Sequence, residues 1–136
     1  MVKYLAKRKI EIIEHELKNV EMCMLYWTHG EMGYQQTQEE LLELEQKTGY
    51  LEFIKQKIID GANETAIIKE LDDEIQAYAV ELDYAGRCEN GYDYSYEEYY
   101  ARQAEQKTLI EKRNYLRNFM KKYFSVRNIC GLSILL

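Results

Sequence analysis

Two histidines, three cysteines and three serines are where a nucleophile, a base active at neutral pH or a soft metal ligand would have to be found in this chain. His15-Glu16 opens like the zinc-protease motif H-E-x-x-H, in which two imidazoles one turn apart hold the metal and the glutamate acts as base. Asn19 occupies the second histidine position, so the motif is incomplete. A carboxylate-bridged di-iron bundle needs Glu-x-x-His on two helices, and three residues before His15 and His29 stand Ile12 and Tyr26. His15 and Cys23 share a helix face, but two turns separate them by about 12 Å, too far for one metal. His29 suits a cation at a helix C-terminus better than a catalyst, and Glu11 and Glu14 flank His15 as on any solvated helix.

The cysteines, Cys23, Cys88 and Cys130, are odd in number and form no C-x-x-C, so neither a disulfide framework nor a zinc site is expected. Nothing around Ser95, Ser125 or Ser133 resembles a nucleophile elbow. Neither G-x-G-x-x-G nor the P-loop pattern occurs, and Gly30 and Gly33 follow a helix where a strand would be needed. Carboxylate pairs abound, but a surface this acidic contains pairs by chance. The chain is therefore expected to be non-enzymatic, with no cofactor and no metal.

Charge is the stronger signal. The formal −6 hides an asymmetry: residues 31–98 carry eighteen acids against five bases, and residues 99–136 eight bases against two acids. Asp72, Asp73 and Glu74 stand together. Further on, Asp83, Glu89, Asp93, Glu97 and Glu98 interleave with six tyrosines, Tyr84, Tyr92, Tyr94, Tyr96, Tyr99 and Tyr100. Tyrosine suits an interface because it buries a large rigid face and keeps a hydroxyl for polar contact. The bases Lys3, Lys7, Arg8 and Lys9 near one terminus, and Arg113, Arg117, Lys121, Lys122 and Arg127 near the other, would share one end of an up-and-down bundle. Part of this polarity is what helix dipoles favour without any partner, and solvated helix faces would look the same.

The elements that must position these groups read as four helices. Proline is absent, and the chain is rich in Glu, Lys, Leu and Ile. Ile10, Ile13, Leu17, Val20, Met24 and Trp27 alternate spacings of three and four along a first helix over 2–28, ending near Gly30. Trp27 and Met24 fall on its seam, with Met22 beside it. Thr37 and Glu40 form a capping box for a second helix over 37–60, whose register Leu41, Leu44, Thr48, Leu51 and Ile58 runs through Gly49 to Asp60-Gly61. Asn63 caps a third over 63–85, with Ile68, Leu71, Ile75, Tyr78, Leu82 and Ala85 as its stripe and Gly86 as its stop. Ser95 and Glu98 open a fourth over 95–124, striped by Leu109, Leu116 and Tyr123 with Phe119 and Met120.

Helices of about 35–45 Å at 1.5 Å per residue fit an all-α, antiparallel bundle forming a single domain over 1–136. The alternative is long hairpins that complete their core by dimerising. The short tail ICGLSILL (129–136) is too apolar for a free end and is expected to lie on the bundle or on a second copy. It is less than half a membrane span, the N-terminus lacks a signal-peptide pattern, and the cysteines suit a reducing compartment, so a cytoplasmic protein is expected.

These features predict a protein-binding module or inhibitor whose acidic, Tyr-rich face (Asp72, Asp73, Glu74, Tyr92, Asp93, Tyr94, Tyr96, Glu97 and Tyr99) occupies a basic nucleic-acid-binding site on a partner, as a nucleic-acid mimic. In size and charge the chain resembles the small acidic proteins that phages carry against nucleic-acid-handling defence enzymes, the anti-CRISPR kind. The rivals are a coiled-coil homodimer or adaptor, and a nucleic-acid binder acting through the basic end (Lys7, Arg8, Arg117, Lys121 and Lys122), which the net charge disfavours.

Overall fold

Strong helix formers with no proline to interrupt them give four helices in the computed structural model, which describes residues 2–28, 38–87 and 95–125. They are α1 (Val2–Thr28), α2 (Gln38–Ile59), α3 (Glu64–Arg87) and α4 (Tyr96–Tyr123), and no strand occurs among the described residues. The class is all-α, as expected, and each helix end lies within two residues of the position expected from the sequence. The largest shift is at Gly86, which sits inside the last turn of α3 instead of stopping it. Glycine ends a helix when it takes positive φ, and among the described glycines only Gly61 does so, at 93°. His29, Gly30, Gly33, Thr37, Cys88, residues 89–94, Arg127, Cys130 and the apolar tail lie outside the described residues, as do the side chains of Lys3, Trp27 and Ala85.

Local chemistry accounts for two ends in detail. At the start of α4, the Glu98 N–H donates to Ser95 Oγ at 3.2 Å, and the Tyr99 N–H to the Ser95 carbonyl at 3.0 Å. At the end of α2, the Ala62 N–H donates to the Lys57 carbonyl at 2.9 Å and the Gly61 N–H to the Ile58 carbonyl at 3.0 Å. That double closure around a left-handed residue is the Schellman arrangement, and it satisfies carbonyls that the helix end leaves free. In between, α2 runs unbroken through the exposed Gly49.

The chain falls into two compact units. The first comprises residues 1–63 and 119–136. In it α1 and α2 lie antiparallel, since Lys55 Nζ is 3.5 Å from Glu14 Oε1 and one groove is lined by Ile10 together with Ile58. Its buried apolar residues are Ile13, Val20, Leu51, Ile54, Ile58, Phe119, Met120 and Phe124. Phe119 packs its ring on Tyr123 (centroids 4.8 Å apart) and edge-on against Phe124 (5.9 Å), while Lys9 lies 5.6 Å from the centre of the Phe124 ring. Each fully buried Ile or Leu contributes about 1.5–3 kcal/mol.

The second unit is residues 64–118, that is α3 with most of α4, and its buried apolar residues are Ile67, Leu71, Leu82 and Leu116. Leu71 and Leu82 of the expected α3 stripe are buried, whereas at its start Ile67 is fully buried and Ile68 only partly. Three polar bridges join the helices. Arg113 Nη1 is 2.7 Å from Asp72 Oδ1, the Tyr78 hydroxyl donates to Glu105 Oε2 at 2.7 Å, and Arg102 Nε is 3.6 Å from Glu81 Oε1. These pairs fix an antiparallel register.

Candidate protein-binding surface

The residues expected to bind a partner divide in two once that register is known. Asp72 lies level with Arg113, while Tyr96 to Tyr100 are some fifteen residues further along α4 toward its start. At 1.5 Å per residue that is about 22 Å. The α3 acids and the tyrosines therefore form separate patches of the second unit, and Tyr92, Asp93 and Tyr94 lie outside the described residues.

In the α3 patch the three consecutive acids have different fates. Asp72 is drawn into the bridge to Arg113, which is half-buried, so it holds two helices together. Asp73 is exposed and pairs with Lys69 one turn back at 2.8 Å, a hydrogen bond that raises the lysine pKa from its ordinary value. Glu74 is exposed. Together with Glu70 it edges a shallow furrow along one side of α3, floored by Ala66 and Ala77. The spacing of three and four puts these carboxylates on one face.

In the tyrosine patch, Tyr96 and Tyr100 stand one turn apart on α4 and are 82% and 61% exposed. Their rings stack on each other, with centroids 6.3 Å apart and planes 20° from parallel, and Tyr99 meets Tyr100 edge-on at 6.1 Å. Glu97 and Glu98 are exposed in the same first turn. From the Arg102–Glu81 pair, Asp83 and Tyr84 of α3 fall level with Tyr100 and Tyr99.

Between the patches lies a network absent from the candidate site read from sequence, where Tyr78 entered only as a stripe residue of the third helix. The Tyr78 hydroxyl and Arg102 Nη1 both donate to Glu105 Oε2, at 2.7 and 3.2 Å. The hydrogen bond to the carboxylate holds the Tyr78 proton and raises its pKa, with burial adding to the effect. The same hydrogen bond lowers the pKa of Glu105; burial opposes it, and Arg102 adds to the lowering. A Tyr and a Glu 27 residues apart carry no local signal of this kind.

The basic residues are also shared between units. In the first unit, the Lys9 contact with Phe124 brings the start of α1 to the end of α4; there Lys7, Lys121 and Lys122 are exposed, and Arg8 pairs with Glu11 at 3.3 Å. Lys122 lies 5.0 Å from the centre of the Tyr123 ring. Arg117 belongs to the second unit, where it is exposed and donates to Asn114 Oδ1 at 3.3 Å.

His15 and Cys23 are both exposed, and among the described residues no group of three His, Cys, Asp or Glu could hold a metal ion. Met22 is exposed and Met24, expected in the core, is only partly buried. No described helix is long and apolar enough to cross a membrane. Comparison with known proteins gives no match to any family model, curated protein or solved structure.

Proposed function

We propose that the chain is a non-enzymatic binding module, acting as an inhibitor, that covers a basic surface of a nucleic-acid-handling protein with its second unit. The observation that carries this reading is the location of charge: residues 64–118 hold thirteen acids against seven bases, a net −6 equal to that of the whole chain, while the remaining residues hold eleven of each. A field of one sign speeds encounter with an oppositely charged site and discourages phosphate. Exposed aromatic rings inside that field supply contact area at low entropic cost.

The test is affinity capture from a cell lysate treated with nuclease, comparing wild type with Asp73→Lys/Glu74→Lys and with Tyr96→Ala/Tyr100→Ala. Asp72 is left intact, because reversing it would break the bridge to Arg113. A basic protein retained by wild type and lost by a folded variant is the expected result. Equal retention by wild type and both variants would reject the reading.

Self-association through the first unit is the second reading, supported by exposed Met22 and Leu25 on α1 and Leu42 on α2. The antiparallel pairing puts all three toward the same end of the hairpin. Light scattering of Met22→Lys/Leu25→Lys against wild type tests it: the mass should fall by half, and a wild-type monomer would exclude it.

A further inference from the structure

Tyr96 and Tyr100 are the most exposed aromatic rings among the described residues, stacked on each other with Tyr99 edge-on to Tyr100. Exposing two stacked rings at a helix start gives no stability to the core, which lies on the opposite side of α4 at Leu116 and its neighbours. Glu97 is three residues from Tyr100, so its carboxylate borders the same face, and among the described residues no partner engages it. Ala104, one turn on from Tyr100, follows on that side.

We infer that the face formed by Tyr96, Glu97 and Tyr100 receives an arginine side chain of the partner protein, with the guanidinium plane on the tyrosine rings and its N–H fork donated to Glu97. This rests on the reading of the chain as a binder of basic protein surfaces. Ring faces attract cations through their quadrupole, and a flat guanidinium can stack while keeping its donors free in its own plane. A carboxylate at the edge of the stack then accepts two parallel hydrogen bonds, which an ammonium cannot offer in that geometry. Lysine satisfies only the charge. A nucleic-acid base could stack on the same rings, but its phosphates would meet Glu97 and Glu98. A second copy of this face would bring like charges together.

The experiment titrates the full chain by calorimetry with two peptides of equal length and charge, one bearing arginines and the other lysines. Wild type should bind the arginine peptide about tenfold more tightly. Tyr96→Ala/Tyr100→Ala should abolish that preference, while Tyr96→Phe/Tyr100→Phe, which keeps the rings, should retain it; circular dichroism of both variants checks that the helices persist. Equal binding of the two peptides to wild type, lost on Asp73→Lys/Glu74→Lys, would overturn the arginine assignment and leave the acidic-surface reading standing. Failure of both peptides to bind would overturn both. An oligonucleotide that displaces the arginine peptide from the rings would also overturn it.

Discussion

The two units of this chain are built on opposite balances of the same forces. The first is formally neutral and, among the described residues, buries eight large apolar side chains; the second holds the entire net charge, buries four among the described residues, and ties its helices with Arg113–Asp72, Tyr78–Glu105 and Arg102–Glu81. Apolar burial is not screened by salt, whereas partly exposed bridges contribute little each and leave neighbouring carboxylates facing water. The unit with less core is thus the one with more to offer a partner. A region held this way opens locally more often, which is common for binding surfaces.

The sharpest way to break that contrast is to attack the apolar side. Ile54→Ala in the fully buried centre of α2 should destabilise the first unit by about 2–5 kcal/mol in urea unfolding followed by circular dichroism. A loss under about 1 kcal/mol would mean that the burial there is not what holds α2. Arg113→Met is the matching change in the second unit and should cost about 1 kcal/mol, the exposed half of the pair being screened by solvent. Amide exchange should quicken in α3 and in α4 up to Asn118 while the first unit keeps its protection. Uniform acceleration would erase the distinction between the units.

A gain is expected at Gly49, where an added Cβ would meet nothing within 4 Å. Gly49→Ala should stabilise α2 by about 0.5–1 kcal/mol, seen as a raised urea midpoint.

The smallest effect concerns pH. The carboxyl of Glu105 is held below its ordinary range, so its contribution is present above that range and is lost as pH falls through the lowered value. The phenol of Tyr78 is raised, so its contribution is present below the ordinary phenol value and is lost as pH rises through the raised one. The bridge is therefore intact between roughly pH 4.5 and pH 10. Tyr78→Phe should be less stable than wild type by a constant small amount inside that window, with the gap closing on either side. A gap that does not close once the Glu105 carboxyl is protonated would assign the effect to packing instead of the hydrogen bond.

Much of the fold was legible because helix signals are local. The spacing of apolar residues, the Ser95 cap and the Asp60-Gly61 stop each act within one or two turns, and the structure uses them. The register between helices was not legible, since periodicity tells which side of a helix is apolar and not which residue of another helix it meets. Ile67 and Ile68 are both apolar and 100° apart, so only the packing decides which is buried. The candidate surface suffered most. Asp72 reads in sequence like its neighbours Asp73 and Glu74, yet its distant partner Arg113 makes it part of the frame. Tyr78 and Arg102 were likewise visible as residues and invisible as a network.

The turn after α2 bears on how the chain can be cut. Asp60-Gly61-Ala62-Asn63 has the composition of a nick point, and it adjoins the boundary between the units. A protease must draw its substrate out as a strand, and here the Gly61 and Ala62 amides are already committed to the last turn of the helix. Trypsin should therefore cut after Lys57 no faster than at lysines inside the helices, and the two units will not be separable at this junction by brief digestion.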